Sequence, residues 1–156
     1  MTFKHLFRAA LTWTNKKEAA HLARNTYSKN HYISIDGKED LQVSAAKAFK
    51  GDPTLYNPED LLLSSLVSCH MMSYLYVCSL HDIEIVTYMD RAEAILETYA
   101  NGSGHFLHVR LNPAVTITDP NKITLALSLH AKANQLCFIA NSCNFPVTHY
   151  PTCSSV

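Results

Sequence analysis

The sequence has no excess of charge of either sign, and neither sign is concentrated in any one segment. Its 156 residues include thirteen Lys and Arg and thirteen Asp and Glu, for a formal net charge of +0 at pH 7. Nucleic acids and anionic membrane surfaces are bound through basic patches. The sequence therefore predicts no nucleic-acid partner, which leaves a small molecule, another protein or a second copy of the chain.

The chain also has no continuous apolar segment at the N-terminus, and its number of cysteines is odd. Residues 1–10 mix Lys4, His5 and Arg8 with isolated apolar residues, which is not the pattern of a secretory signal. Five cysteines in a chain of this length are typical of reduced thiols rather than of a secreted disulfide framework. We therefore expect a cytoplasmic protein.

Short metal-binding motifs are absent: the sequence contains no C-x-x-C, H-x-x-x-H or H-E-x-x-H. The remaining candidate ligands are a loose set of His70, His81, His130 and Cys143. His130 lies seven residues before Cys137 on a predicted helix, but a core histidine with its hydrogen bonds satisfied is the simpler interpretation. We predict no metal and no cofactor, and keep a metal-binding protein as an alternative.

One uncharged apolar run, 61–80, is long enough to cross a bilayer. Serine, cysteine and histidine side chains are scattered all around its helical circumference, which is rare on a helix that faces lipid. The run therefore predicts the buried central helix of a protein that does not contact a membrane.

The composition, with 47% hydrophobic and 17% charged residues, is that of an ordered globular chain, and no repeat or linker divides it. We predict one domain, 1–156. Alternating apolar residues predict a strand at 7–13, and Asp36-Gly37 predicts a tight hairpin within 32–45. Asn57 and Pro58 are typical of a helix start, and this helix is expected to reach about Leu80.

The second half of the chain repeats this order of strands followed by a helix. The segment 83–99 is predicted to pair with the alternating segment 107–118 across a loop at 101–104. Asp119-Pro120 predicts a second helix that continues past Leu136, and a short extended piece follows between Pro146 and Pro151. The sequence thus predicts an α+β fold.

Spacing limits which cysteines can act together. Cys78 lies nine residues after Cys69 and so points to the opposite face of the first helix, while Cys143 is six residues beyond Cys137. A reactive pair would therefore have to join the two helices. We interpret Cys78, Cys143 and Cys153 as structural or incidental, with Cys153 close to the C-terminus, where fraying is expected.

Two motifs resemble a known family. The segment N-P-E-D-L-L at 57–62, followed by S-C-H at 68–70, resembles the N-P-E-x-L-L and A/S-C motif of the OsmC/Ohr proteins, including the ten-residue spacing from Glu59 to Cys69. The segment around Cys137 is similar to the family's second-cysteine motif, with Phe138 where many members have proline. The resemblance extends from about Leu11 to Thr152.

The resemblance implies an intertwined homodimer with antiparallel sheets around a long buried helix and an active site at the interface. It implies a thiol-dependent peroxidase in which Cys69 is the peroxidatic and Cys137 the resolving cysteine. Organic hydroperoxides would be the substrates, and a dithiol such as a dihydrolipoyl group would be the reductant. Apolar residues near Cys69 would favour bulky peroxides: Leu66, Val67, Met71, Met72 and Leu75.

A free thiol is mostly protonated at neutral pH, so a nearby cation is needed to hold the thiolate. The resemblance implies an arginine oriented by Glu59, and Arg24 is the best candidate, with Lys29 and Arg8 as alternatives. Ten residues of helix place Glu59 roughly 15 Å from Cys69 along the axis, so the cation or a second subunit would have to bridge them.

A different class of function fits the same motifs. A chain with this fold and both cysteines, but without turnover, would be a non-catalytic thiol redox sensor or a small-ligand-binding dimer. Stoichiometric disulfide formation without repeated turnover would distinguish it from the enzyme.

Overall fold

The computed structural model describes residues 2–14 and 27–156. The chain divides into two compact units, Met1–Leu61 and Leu62–Val156. The long helix α1 (Pro58–Ser79) begins at the end of the first unit and continues into the second. The second unit contains all five cysteines.

The first unit contains one antiparallel sheet in the order β1-β2-β3. Its strands are β1 (Ala10–Thr12), β2 (His31–Ser34) and β3 (Leu41–Val43). Gly37 has φ +74° in the turn between β2 and β3, which confirms the hairpin that Asp36-Gly37 predicts. The strand predicted at 7–13 forms over three residues only. All three are exposed, so the strand has no buried face that would stabilise a longer pairing.

The start of α1 is fixed by reciprocal capping. Asn57 Oδ1 accepts a hydrogen bond from the Asp60 N–H at 2.8 Å, and Asp60 Oδ2 accepts one from the Asn57 N–H at 3.4 Å. The helix covers Pro58–Ser79, which confirms the predicted start and end within about one residue.

The second unit contains two mixed sheets, β4-β7-β9 and β5-β6-β8, together with a second helix. Its further elements are β4 (Ile85–Asp90), β5 (Glu93–Thr98), β6 (Gly104–Leu111), β7 (Pro113–Ile117), α2 (Ile123–Leu136), β8 (Val147–His149) and β9 (Thr152–Ser155). The side chain of Asp119 accepts a hydrogen bond from the Asn121 N–H before α2, so the predicted cap is confirmed. The helix ends at Leu136 instead of continuing past it.

The single hairpin predicted for 83–118 is in fact shared between two sheets. β5 pairs with β6, whereas β4 pairs with β7, so both segments change sheet midway. The two crossing points are tied together by Asn112, whose N–H donates to Asp90 Oδ1 and whose Nδ2 donates to the Arg91 carbonyl, each at 2.8 Å.

The chain after α2 adds a parallel strand to each sheet, β8 beside β6 and β9 beside β7. The expectation of antiparallel sheets therefore holds for β4–β7 and β5–β6 but not for these last pairs. Cys153 lies on β9 opposite Val115, so the expected fraying near the C-terminus is wrong. Backbone hydrogen bonding to β7 continues as far as Val156 and Ile117.

The face of α1 that is buried carries Leu66, His70, Tyr74, Val77 and Cys78. Its first half packs with β6, and its second half packs with α2 and the β4-β7-β9 sheet. Among the described residues α1 is the one helix long and apolar enough to cross a bilayer, judged by length and composition alone. The packing on both sheets makes it the core helix that the sequence predicts, although its other face is exposed.

Candidate thiol site

Cys69 lies on the partly exposed face of α1, within the second unit. The thiol is free and half-buried. The helical repeat places Met72, Ser73 and Tyr76, at i+3, i+4 and i+7, on the same face. All three line a surface groove together with Cys69.

Cys137 is the residue at which α2 ends. Its N–H still donates to the Asn134 carbonyl at 3.3 Å, but its backbone is extended, with φ −71° and ψ 107°. Its own carbonyl accepts from the Asn141 N–H at 3.0 Å, and so the chain turns back at once. The side chain is 1% exposed and is held inside this turn.

The side chains of Cys69 and Cys137 lie close enough to interact. Burial raises the pKa of Cys137 to about 11, and the neighbouring Cys69 adds to the effect. The Ala140 N–H, 3.4 Å from the Cys137 sulfur, acts in the opposite direction and is outweighed. At neutral pH Cys137 is therefore a protonated thiol beside Cys69.

A groove of about 350 Å³ opens beside the pair. Its lining is Cys69, Met72, Ser73, Tyr76, Leu136 and Phe138. Phe138 follows Cys137 directly and is 81% exposed, so its ring forms an outer wall of the groove. The lining is mainly apolar with two hydroxyl groups, which suits a small organic molecule with one polar end.

The apolar neighbours expected around Cys69 are only partly found there. Of the five, Met72 alone lines the groove. Leu66 is fully buried in the core, Val67 and Met71 line a different pocket, and Leu75 is exposed. Sequence neighbours of a helical residue mostly lie on its other faces. The i+3, i+4 and i+7 positions were the signal that would have identified Ser73 and Tyr76.

The residues expected to provide or to orient the activating cation all fall within 1–61, the range of the first unit. Glu59 is in the first turn of α1, and its Oε2 is buried without a hydrogen-bond partner among the described residues. Arg24 lies outside the described residues. Lys29 Nζ donates to the Phe49 carbonyl, and Arg8 is exposed.

The other cysteines are engaged elsewhere in the second unit. Cys78 is fully buried in the core with Cys153 packed against the same cluster, and Cys143 donates to the Ile139 carbonyl at 3.3 Å. No group of three or more His, Cys, Asp or Glu residues in the described part of the chain is arranged to hold a metal ion. Of the histidines considered as ligands, His70 and His130 are hydrogen-bonded to each other, and His81 is exposed.

The fold and the site together define an α+β protein in which a groove-lining cysteine on the long helix meets a buried cysteine at the end of a second helix. Residues 51–150 match the sequence model of the family described as OsmC-like protein. The chain belongs to the OsmC-like family.

Solved structures agree with this assignment over nearly the whole chain. An OsmC-like protein of unknown function from Vibrio cholerae has 27% sequence identity and a TM-score of 0.83, with 95% of this chain and 99% of the other covered. An organic hydroperoxide resistance protein from Elizabethkingia anophelis has 18% identity and a TM-score of 0.70, with 100% of both chains covered.

A second organic hydroperoxide resistance protein, from Legionella pneumophila, has 19% identity and a TM-score of 0.68, with 98% of this chain and 100% of the other covered. At the identities of these last two proteins the likeness shows the fold alone. No match was found among curated protein sequences.

Proposed function

We propose that this protein is a thiol-dependent peroxidase that reduces organic hydroperoxides through Cys69 and Cys137. The observation that carries the proposal is the contact between two free thiols from different helices at the edge of an apolar groove. Two relatives of the same fold are organic hydroperoxide resistance proteins, which supports the substrate class.

The two thiols differ in a way that favours one role for each. Cys69 lines the groove, where a substrate can reach its sulfur. Cys137 is buried and remains protonated because burial raises its pKa. Cys69 is therefore assigned as the nucleophile, and the protonated Cys137 beside it as the residue that resolves the oxidised Cys69.

The reaction balances with one external reductant. The Cys69 thiolate attacks an oxygen of the hydroperoxide, the O–O bond breaks, and the alkoxide leaves and takes a proton to become an alcohol. Cys69 is then a sulfenic acid, which condenses with the Cys137 thiol to give a disulfide and water. A dithiol of the dihydrolipoyl type reduces this disulfide and becomes a disulfide itself.

The proposal also includes the partner groups that the family resemblance implies. Glu59 would orient Arg24, whose guanidinium would hold the thiolate, and the site would lie at the interface of a cytoplasmic homodimer. Glu59 Oε2 is buried with no hydrogen-bond partner among residues 2–14 and 27–156, which supports the presence of a donor at that position. Arg24→Lys would keep the charge but lose the bidentate geometry, and is expected to lower the rate.

A thiol count before and after one equivalent of cumene hydroperoxide tests the proposal, with Cys69→Ser and Cys137→Ser measured in parallel. We expect rapid loss of two thiols as a Cys69–Cys137 disulfide by peptide mapping, no fast loss in Cys69→Ser, and a Cys69 sulfenic acid without this disulfide in Cys137→Ser. Equal, scattered oxidation of all three proteins would rule the peroxidase out. Fast disulfide formation without turnover on added dithiol would make the protein a thiol redox sensor.

A further inference from the structure

Three histidine side chains from three different elements meet in the core of the second unit. They are His70 on α1, His130 on α2 and His149 on β8. Their ring centroids are 5.3, 5.7 and 6.2 Å apart, and His70 Nε2 lies 3.0 Å from His130 Nδ1. We call these residues the imidazole cluster.

The imidazole cluster is under-satisfied in hydrogen bonds. His70 and His130 are 0% exposed and share one hydrogen bond. His70 Nδ1, His130 Nε2 and His149 Nδ1 are buried and have no partner among the described residues. In either tautomer of the His70–His130 pair, one outer nitrogen is an unpaired N–H donor and the other an unpaired acceptor, and both are costly to bury.

The elements around the imidazole cluster bring little charge to it. The Tyr74 ring stacks on His130 at 3.8 Å, and its hydroxyl donates to the Ala126 carbonyl at 3.1 Å. The other titratable groups on the surrounding elements are Glu59, Asp60, Cys69, Tyr76, Cys78, Tyr88, Asp90, His105, His108, Arg110, Lys132, Cys137 and Cys153. Burial raises the pKa values of Tyr74 and Cys78 and keeps both groups neutral.

The charged groups in this set lie elsewhere or have other partners. Glu59 and Asp60 are in the first turn of α1, and Lys132 is exposed. Asp90 is hydrogen-bonded to Tyr88 at 3.4 Å and to Asn112 at 2.8 Å. The Arg110 guanidinium lies over the Tyr150 ring, 4.3 Å from its centroid. Neither provides a counter-charge for an imidazolium in the cluster.

The imidazole cluster joins the two helices that carry the paired thiols. Cys69 directly precedes His70 on α1, and Cys137 follows His130 by seven residues, or about two turns, at the end of α2. We propose that the imidazole cluster is an acid-sensitive joint: proton uptake by its histidines breaks the contact between α1 and α2, separates Cys69 from Cys137 and exposes the Cys137 thiol.

The direction of the pH effect follows from burial. Burial lowers the pKa of His70 to about 4 and that of His130 to about 3, with neighbouring imidazoles adding to the effect, and burial also lowers the pKa of His149. In the closed form the contact between α1 and α2 is intact, and in the open form it is broken. Above the ordinary histidine pKa of 6.5 the imidazole cluster is neutral in both forms. As the pH falls below 6.5, the open form takes up protons that the closed form cannot, so the closed form loses stability progressively towards pH 4.

Urea unfolding between pH 7.5 and 5 tests this linkage. Each extra proton bound by the unfolded chain multiplies the unfolding constant by about ten per pH unit. The slope of the logarithm of the unfolding constant against pH gives the number of extra protons bound on unfolding. We expect this number to approach about three in the wild type and about two in His149→Phe. His81→Gln changes an exposed histidine outside the cluster and should match the wild type. Equal slopes in wild type and His149→Phe would overturn the proposal.

Labelling with 4,4′-dithiodipyridine, which reacts with thiols in mild acid, tests the link to the thiol site. Cys137 labelling, assigned by peptide mapping, should rise at least about tenfold from pH 7 to pH 5 in the wild type, as the linkage predicts, but less in His149→Phe. Persistent protection of Cys137 at pH 5 would overturn the proposed exposure.

Histidine ring NMR signals of the intact wild type provide a second measurement that does not depend on the variant folding. We expect three of the nine histidines to remain neutral until the protein opens. Titration of all nine near pH 6.5 would exclude an imidazole cluster that resists protonation.

Discussion

Cys69 and Cys78 lie on the same helix, two and a half turns apart, and their surroundings are opposite in kind. Cys69 meets a second thiol beside a groove that solvent and small molecules can enter. Cys78 is fully buried among Val77, Ile117 and Ala133, and Cys153 packs at the edge of the same cluster. Two cysteine pairs therefore lie within one unit, one at the surface groove and one in the core.

The two cysteines differ in their environment and not in their residue type. Burial raises the pKa of Cys78, and nothing in the cluster around it offers a substrate a path to the sulfur. Cys69 has both an accessible face and a second thiol beside it. We therefore expect substitutions at the two positions to affect different properties, activity at Cys69 and stability at Cys78.

The largest expected effect is on peroxide reduction. Cys69→Ala should lower the rate of cumene hydroperoxide reduction by at least about a hundredfold, because it removes the proposed nucleophile. Cys78→Ala should keep the rate within about twofold, because its sulfur touches no part of the groove. Initial rates with excess dithiol measure both. A loss of similar size in the two variants would remove the functional distinction between the pairs.

For the free energy of unfolding, the larger effect should come from Cys78→Ala and the smaller one from Cys69→Ala. Cys78→Ala removes a fully buried sulfur from a packed cluster and should lower the free energy of unfolding by about 1–2 kcal/mol. Cys69→Ala removes a half-buried side chain at a groove and should cost less than about 0.5 kcal/mol. Urea unfolding at pH 7.5 under reducing conditions measures the difference. Equal destabilisation would mean that Cys69 is also a core residue.

Local sequence signals accounted for the elements that begin or turn at a single residue. Asn57 caps α1, Asp119 caps the turn before α2, and Gly37 adopts the positive φ of the hairpin. The contact between Cys69 and Cys137 was expected only from the family resemblance. Spacing along each helix could exclude local pairs but could not place two helices side by side.

Features that depend on tertiary contacts were not predictable in this way. The split of 83–118 between two sheets is fixed by Asn112, whose partners lie more than twenty residues away. The parallel pairing of β8 and β9 likewise depends on where α2 returns the chain. His149 carries no local signal at all, since its place beside His70 follows from strand pairing.

The smallest expected effect lies at the outer wall of the groove and concerns selectivity. Phe138 is largely exposed, so Phe138→Ala should leave the free energy of unfolding within about 0.5 kcal/mol of the wild type. Loss of its ring from the groove should raise KM for cumene hydroperoxide by about two- to fivefold, because less apolar surface is buried on binding. KM for hydrogen peroxide, which cannot reach the ring while bound at Cys69, should not change.

Phe7→Ala is the matched control for this selectivity, since it makes the same truncation at an exposed phenylalanine of the first unit. It should alter neither KM value. If Phe138→Ala raised KM for both peroxides equally, the ring would be supporting the position of Cys137 and not contacting the substrate. In that case Phe138 would act by holding Cys137 in position. The preference for organic peroxides over hydrogen peroxide would then have to come from Met72 and Tyr76 on α1.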